Sequence, residues 1–206
     1  MATSDYTELT KCVACDSQDL VETLDLGRQP LANDFLAPGS VLQDFPLKLV
    51  RCNACFHSQL SIAVNPSRLF REYSYVSGTS DTLSNYFDGL TNELISRFGK
   101  NRKILDIGSN DGSFLEKFAT SDWLALGVDP AVNLVMESVA RGVTTVPAFY
   151  DEETADLLAT DFDVIVAMNV FAHTQNPLGI LKGIQKNLAA NGRAFIQTSQ
   201  ANMFKT

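Results

Sequence analysis

Long apolar runs are missing from this chain. No segment approaches the roughly 20 consecutive apolar residues that a membrane-spanning helix needs. The opening Met1-Ala2-Thr3-Ser4-Asp5 has no basic patch followed by an apolar stretch. No signal peptide is therefore expected, and a reducing cytoplasm is. Positive charge is also in short supply: 16 Lys and Arg stand against 24 Asp and Glu, a formal net charge of −8. That balance argues against a broad nucleic-acid or anionic-membrane surface, although it leaves room for a local pocket that takes a small phosphorylated ligand. Internal repeats and low-complexity tracts are absent. Cysteine is absent everywhere after residue 55.

What is present begins with those cysteines. Cys12/Cys15 and Cys52/Cys55 form two Cys-x-x-Cys pairs that use every cysteine in the chain. Each spacing lets both thiolates of a tight turn face one ion, and two such turns complete the tetrahedral sulfur site that zinc prefers. A redox dithiol would account for only half of the cysteines. Two disulfides would suit a small exported domain, and nothing here suggests export. His57, two residues after Cys55, is read as a bystander near the metal.

With 45% apolar residues in 206, the chain can bury a real core in one or two domains. Residues 1–66 read as a small zinc-binding module, punctuated by Gly27, Pro30, Pro38, Gly39, Pro46 and Pro66. Leu47–Arg51 looks like a strand that feeds the second Cys pair. So small a module buries little surface, and a metal tying positions 12–15 to 52–55 supplies what its core lacks. Residues 67–100 read as a linking segment. In it the hydroxyl-rich Tyr73–Ser80 precedes Leu83, Phe87, Leu90, Leu94, Ile95 and Phe98, spaced as an amphipathic helix that stops at Gly99.

Residues 101–206 alternate strand and helix. Strands are expected at Lys103–Gly108, Ala125–Asp129, Thr144–Val146, Phe162–Met168 and Arg193–Thr198. Helices are expected from Ser113, over Asn133–Ala140, and over Leu178–Leu188, the last stopping before Asn191-Gly192. The pattern predicts an α/β fold in which a Rossmann-like parallel sheet is covered on both faces.

The sharpest constellation is Asp106-Ile107-Gly108-Ser109-Asn110-Asp111-Gly112, between the first strand and its helix. Glycine there lets backbone approach a ligand, and a helix start offers N–H groups. Asp129, at the end of the second strand, is placed to accept from ribose hydroxyls. Spacing alone does not separate a dinucleotide from S-adenosylmethionine. The loop reads G-x-x-x-G, without the G-x-G-x-x-G that admits a pyrophosphate. Asp106 and Asp111 would repel a diphosphate and favour a sulfonium carrying an amino-acid tail.

These residues carry a resemblance. Ile104–Gly112 resembles motif I of class I S-adenosylmethionine-dependent methyltransferases. More narrowly, the chain resembles sugar C-methyltransferases that bear an N-terminal zinc module. The similar stretches, in the same order, are Cys12-x-x-Cys15, Leu26-Gly-x-x-Pro-Leu-Ala-Asn33, Cys52-x-x-Cys55, Tyr73-x-Tyr-x-Ser-Gly-Thr-Ser80 and Asn169-Val-Phe-Ala-His173. The resemblance implies S-adenosylmethionine and structural zinc as cofactors, and a nucleotide-linked 4-keto-deoxysugar as acceptor, methylated at carbon 3. It implies cofactor contacts from Asp106, Gly108, Ser109, Asn110, Gly112, Asp129, Pro130 and Asn169. Tyr75 is then a donor to the developing oxyanion or a guide for the sugar, or else a packed aromatic. His173, beyond the fourth strand, is a catalytic candidate or a structural histidine. Phe149 packs on adenine or fills the core.

The family's sheet has seven strands and continues into a Glu-His pair and a further domain, whereas five strands are legible here. The reading is therefore of a C-terminally truncated member, with the fifth strand, and Ala194-Phe195-Ile196 in it, as an exposed edge open to self-association. Little or no turnover is expected of it. Two other readings stay open: a non-catalytic zinc-bearing module that binds the cofactor or a sugar nucleotide, and a zinc-ribbon methyltransferase acting on RNA, which the acidic balance disfavours.

Overall fold

The structure, a computed structural model, describes residues 5–32 and 39–199, so Asn33 of the Leu26–Asn33 motif lies outside the described residues. The chain divides into two compact units, Met1–Leu69 and Phe70–Thr206.

In the first unit β1 (Tyr6–Glu8) will pair with a later strand, and β2 (Leu20–Pro30), β3 (Asp44–Cys52) and β4 (Ser58–Leu60) form an antiparallel sheet in that order. Strand β5 (Ile62–Val64) pairs antiparallel with β1. The expected strand at Leu47–Arg51 is the middle of β3, which ends on Cys52. Phe45, Val50, Ile62 and Ala63 are buried, together with Cys12 and Cys52, while β2 is exposed along nearly its whole length. Burial this thin leaves the unit dependent on another cross-link. Short helix α1 (Pro66–Phe70) lies at the division between the units.

The second unit opens with α2 (Asp81–Phe98), capped by Ser80 Oγ, which accepts from the Leu83 amide, and ended by Gly99 at φ 79°. Its parallel sheet comprises β6 (Lys103–Ile107), β7 (Leu124–Val128), β8 (Thr144–Val146), β9 (Phe162–Met168) and β10 (Leu188–Gln197). The spatial order is β10-β9-β6-β7-β8, with every pairing parallel. Helix α3 (Val132–Ala140) joins β7 to β8, α4 (Glu152–Leu157) precedes β9, and α5 (Pro177–Asn187) precedes β10.

Alternation along the strands supplies both faces of the sheet. Ile104, Val164 and Val166 pack with Phe87 and Leu94 of α2 and with Phe114, Leu115, Phe118 and Trp123. Leu105, Ile107, Ile165 and Ala167 face the other way, against Ala155 of α4 and Ile180 and Ile184 of α5. The helix expected to link the two parts thus lays its apolar stripe on the sheet of the second unit.

Two expected elements differ. The helix expected from Ser113 is a single 3-10 turn, Leu115–Phe118, because Phe114, Leu115 and Phe118 are all drawn into the core within five residues and leave no polar face for an amphipathic helix. Asn191-Gly192 does not separate helix from strand. Pairing with β9 begins at Leu188 opposite Phe162, shifts register, and resumes at Arg193 opposite Val164. Gly192 permits this because a Cβ there would sit 2.8 Å from the Phe162 carbonyl oxygen.

The chain turns back where β6 and β9 lie side by side, since β7 and β8 extend to one side of β6 and β9 and β10 to the other. In open α/β sheets ligands bind in the crevice beyond the carboxyl ends of the strands at such a point. The stability of this frame is testable at Phe118, which is buried with its ring 5.5 Å from that of Phe114 and 5.2 Å from that of Trp123. Phe118→Ala should cost about 3–5 kcal/mol. Denaturant unfolding followed by fluorescence of Trp123, the chain's single tryptophan, measures it; a loss below about 1 kcal/mol would contradict the packing described.

Candidate functional site

The four cysteine sulfurs lie within 4.8 Å of one another. Cys12 Sγ is 3.6 Å from Cys55 Sγ, and Cys15 Sγ is 3.6 Å from Cys52 Sγ. Disulfides need about 2.05 Å, so all four are thiols. Four sulfurs about 2.3 Å from a central zinc would be about 3.8 Å apart, which these separations fit. The two turns are built alike. Cys12 donates its amide to the Ser17 carbonyl and accepts from the Asp16 amide; Cys52 does the same with His57 and Phe56. Asp16 and Phe56 are left-handed, φ 60° and 63°. For a phenylalanine, 72% exposed here, that conformation costs about 1–2 kcal/mol. His57 contributes its carbonyl, and among the described residues the cluster contains the four cysteines alone.

The thiols carry an electrostatic tension. The amide of Cys55, ahead of that of Ala54, lowers the Cys52 thiol to about 6. At Cys15 the Ser17 amide pulls downward, but the neighbouring Cys55 and Cys52 sulfurs and burial outweigh it, and the thiol is pushed up to about 12. A divalent cation held by Cys12, Cys15, Cys52 and Cys55 would stabilise all four as thiolates. Sequence reasoning missed Gln59, which is buried, accepts from the Val13 amide at 2.9 Å and donates to the Lys11 carbonyl at 3.0 Å. It clamps the first turn from β4. An isolated glutamine in a short strand gives no local sign of this.

In the second unit, the loop after β6 alternates left-handed residues: Gly108 at φ 72°, Asn110 at 52° and Gly112 at 76°. A Cβ on Gly108 would lie 2.3 Å from Val170 Cγ2, so glycine lets this loop close onto the loop after β9. The loop's amides are committed internally. Gly108 and Ser109 donate to the Val128 carbonyl, Gly112 to that of Ser109, and Asn110 to Asp129 Oδ2 at 2.8 Å. The N–H groups expected to be free are thus not arranged as a phosphate cradle. Asp129 also accepts from the Ala131 amide through Oδ1 at 2.8 Å. Each of its oxygens therefore keeps a further lone pair for a diol.

The neighbouring carboxylates differ. Asp106 is buried, and its Oδ1 has no partner among the described residues. Burial first, and then the Asp129 charge, hold its pKa well above the carboxylate range. Burial raises Asp129 too, against the lowering effect of the Ala131 and Asn110 amides. Asp111, expected to help attract a cationic ligand, is spent on Arg141, Nη2 to Oδ2 at 3.0 Å. An unsatisfied buried acid and a half-used carboxylate at the carboxyl ends of β6 and β7 suit a ligand with hydroxyls and positive charge.

The remaining expected residues are spread around this crevice. Ser109 turns its side chain under the loop against Gly127 of β7. Pro130 is half-buried beside Asp129. Asn169, left-handed and exposed, donates its amide to the Gln197 carbonyl. His173 is exposed at the end of a 3-10 turn that follows β9. Phe149 is half-buried, with its carbonyl accepting from Thr154 Oγ1. Tyr75 is 50% exposed, and its carbonyl accepts from Asn110 Nδ2 at 3.0 Å. Asn110 Oδ1 in turn accepts from the Ser77 amide at 2.9 Å, and Asp111 Oδ2 from the Gly78 amide at 3.2 Å. Asn133 both accepts from the Tyr73 amide and donates to its carbonyl. Arg141 and Asn133 were missed because a basic residue closing a helix and a polar one opening it read as ordinary helix ends.

Two measurements check these sites. Protein purified under reducing conditions should carry one zinc per chain and lose it in Cys52→Ser, while unfolding of the second unit, read at Trp123, stays unchanged; less than a tenth of an equivalent of metal in the parent would contradict this. The second concerns pH. A carboxyl whose folded pKa is raised binds its proton more tightly folded than unfolded, so its stabilisation is present below about pH 4 and is lost as pH rises toward the folded value. Relative to Asp106→Asn, the parent's unfolding free energy should therefore decline as pH rises above about 4. An identical slope in parent and variant would exclude Asp106 as its source.

Comparison with known proteins gives the family. A family profile described as "Methyltransferase domain" matches residues 81–205, and one described as "Putative zinc binding domain" matches residues 12–70. C-methyltransferase NovU of Streptomyces niveus is 30% identical over 199 residues, 92% of this chain and 47% of the relative. A ubiquinone biosynthesis O-methyltransferase of Histophilus somni is 30% identical over 107 residues, 47% of this chain and 44% of the relative. The chain spans about half the length of these curated relatives. A TehB-like SAM-dependent methyltransferase of known structure from Corynebacterium glutamicum is 22% identical and covers 57% of this chain and 73% of its own, with a TM-score of 0.42. With the methyltransferase profile matching more than half of the chain, over the unit that carries the parallel sheet and the glycine loop, the protein belongs to the methyltransferase-domain family.

Proposed function

We propose that this protein is an S-adenosylmethionine-dependent C-methyltransferase whose acceptor is a nucleotide-linked 4-keto-deoxysugar, with a structural zinc held by Cys12, Cys15, Cys52 and Cys55. The observation that carries the cofactor reading is the Asp129 carboxylate, fixed at the end of β7 by two main-chain amides and offering its remaining lone pairs to ribose hydroxyls. Gly108, Ser109, Asn110 and Gly112 form the floor beneath the nucleoside, Pro130 borders it, and Asn169 closes the side nearest β9. Asp106 provides the acceptor for the cationic end of the ligand. The C-methyltransferase among the similar proteins and the Tyr73–Ser80 and Asn169–His173 motifs support the choice of acceptor.

Bound there, S-adenosylmethionine supplies an electrophilic methyl group. The chain's own residues must orient the acceptor, exclude water and move one proton. Carbon 3 of a 4-keto sugar is acidic because its carbanion delocalises onto the ketone oxygen, and a positioned base lowers the barrier to losing that proton, typically by 10²–10⁴-fold in rate. His173, beyond β9, is the base candidate in this chain. Tyr75 is the donor to the developing oxyanion, the role in which a preorganised hydroxyl does most.

Calorimetry tests the cofactor half: S-adenosylhomocysteine should bind and NAD should not. Asp129→Ala removes charge-assisted hydrogen bonds worth about 1.5–3 kcal/mol each and should weaken binding at least roughly tenfold; equal affinity in variant and parent would refute the assignment. Calorimetry with a panel of nucleotide-linked 4-keto sugars, in the presence of S-adenosylhomocysteine, tests the acceptor half. A protein that binds S-adenosylhomocysteine yet takes up no sugar nucleotide of the panel would contradict the acceptor reading.

A further inference from the structure

Between Arg71 and Ser80 the chain has no regular structure beyond one 3-10 turn at Ser77–Thr79, yet side chains of other elements pin it at three places. Asn133 grips the Tyr73 peptide through both its amide and its carbonyl. Asn110 does the same for Tyr75 and Ser77. Asp111 takes the Gly78 amide. The outer two grips both lead to α3, because Asn133 lies in its first turn and Arg141, the partner of Asp111, closes its last. The eight steps from Asn133 to Arg141 span about 12 Å of helix, and the five steps from Tyr73 to Gly78 reach at most about 18 Å. The segment is thus a strap held alongside α3 and tied at its middle to the glycine loop.

The Gly78 end is the tightest. The Asp111 side chain is 0% exposed, a depth at which a carboxylate must be paired or lose its charge. Its Oδ2 receives both Arg141 and the Gly78 amide, and Arg141 is itself held by Glu116 Oε2 at 2.9 Å. A Cβ on Gly78 would fall 2.5 Å from that Oδ2 and 2.9 Å from Arg141 Nη2. The strap reaches the charge pair only because residue 78 has no side chain.

We infer that Asp111 and Arg141 are positioning residues for the acceptor half of the site: by holding Gly78 they fix the strap that presents Tyr75. The inference rests on the proposal that Tyr75 meets the acceptor. It assigns work to two charged residues that do not touch the Asp129 carboxylate, which is bound by the Asn110 and Ala131 amides, whereas the strap meets Asn110 only through its side chain. Loosening the strap should accordingly harm acceptor binding and spare cofactor binding, a split that general destabilisation would not produce.

The test uses the full chain and Gly78→Ala. Calorimetry gives affinities for S-adenosylhomocysteine and then, in its presence, for dTDP-4-keto-6-deoxyglucose; amide hydrogen exchange reads Ser77 and Gly78. We expect a sugar-nucleotide affinity at least tenfold weaker, S-adenosylhomocysteine affinity within threefold, and exchange at least tenfold faster in the strap. Equal losses for both ligands, or an unchanged sugar-nucleotide affinity, would overturn the inference. Should the parent take up no sugar nucleotide, the acceptor proposal fails by itself, and exchange decides the strap: acceleration with cofactor affinity kept supports its anchorage at Gly78, and no acceleration overturns it. If Gly78→Ala does not fold, Arg141→Gln, which removes the counter-ion of Asp111 at a partly exposed side chain, is judged on the same outcomes.

Discussion

The hydrogen bond from the Asn110 amide to Asp129 Oδ2 is the contact on which the second unit's crevice depends. Strands β6 and β7 are parallel neighbours, so their ends arrive side by side, and each must turn away without leaving buried polar backbone unpaired. Asp129 meets that requirement for both: it takes the amide of the loop leaving β6 and, through its other oxygen, that of Ala131 at the entrance to α3. The left-handed Asn110 that results aims its side-chain amide at the strap. One carboxylate thereby sets the shape of the glycine loop, the start of α3 and, through Asn110, the place of Tyr75.

The first unit depends on a different constraint. Its buried apolar set is small and its longest strand is exposed, so the folded chain must be paid for by something other than burial. Two matching turns bring four thiols together at separations suited to tetrahedral zinc. The left-handed Phe56 and the buried Gln59 clamp make sense in that light: each holds one of the two turns in the shape that brings its cysteines to the cluster.

Much of this was legible in the sequence because it is local. The Cys-x-x-Cys spacing, the alternation in Phe162–Met168 and the stripe from Leu83 to Phe98 each lie within one element and reflect one periodicity. The glycine loop and Asp129 were legible because backbone approach and strand ends leave residue-type signatures. What escaped depends on pairs distant in sequence. Arg141 and Asp111 are 30 residues apart and Gln59 and Lys11 are 48 apart, and no periodicity links them. Asp111 was misjudged for the same reason: as an acid beside a glycine loop it reads as ligand-facing, and only the fold brings Arg141 to it. The missing helix after Ser113 is a case of tertiary burial overriding pattern, as three large side chains entered the core within five residues.

Charge bookkeeping in the crevice also bears on the ligand's identity. Three aspartates, Asp106, Asp111 and Asp129, stand within one loop and one strand end, and each is accommodated differently. Arg141 neutralises Asp111, main-chain amides stabilise Asp129, and burial beside Asp129 disfavours ionisation of Asp106. A diphosphate entering here would meet the Asp129 charge without the free amides that phosphate sites use, because those of Gly108, Ser109, Asn110 and Gly112 are already engaged. A ligand with a diol and a positive centre meets the opposite situation, since it satisfies the open lone pairs of Asp129 and favours the ionised form of Asp106. On the proposed function, the acidity of these three positions is the feature that would select a cationic nucleoside over a diphosphate.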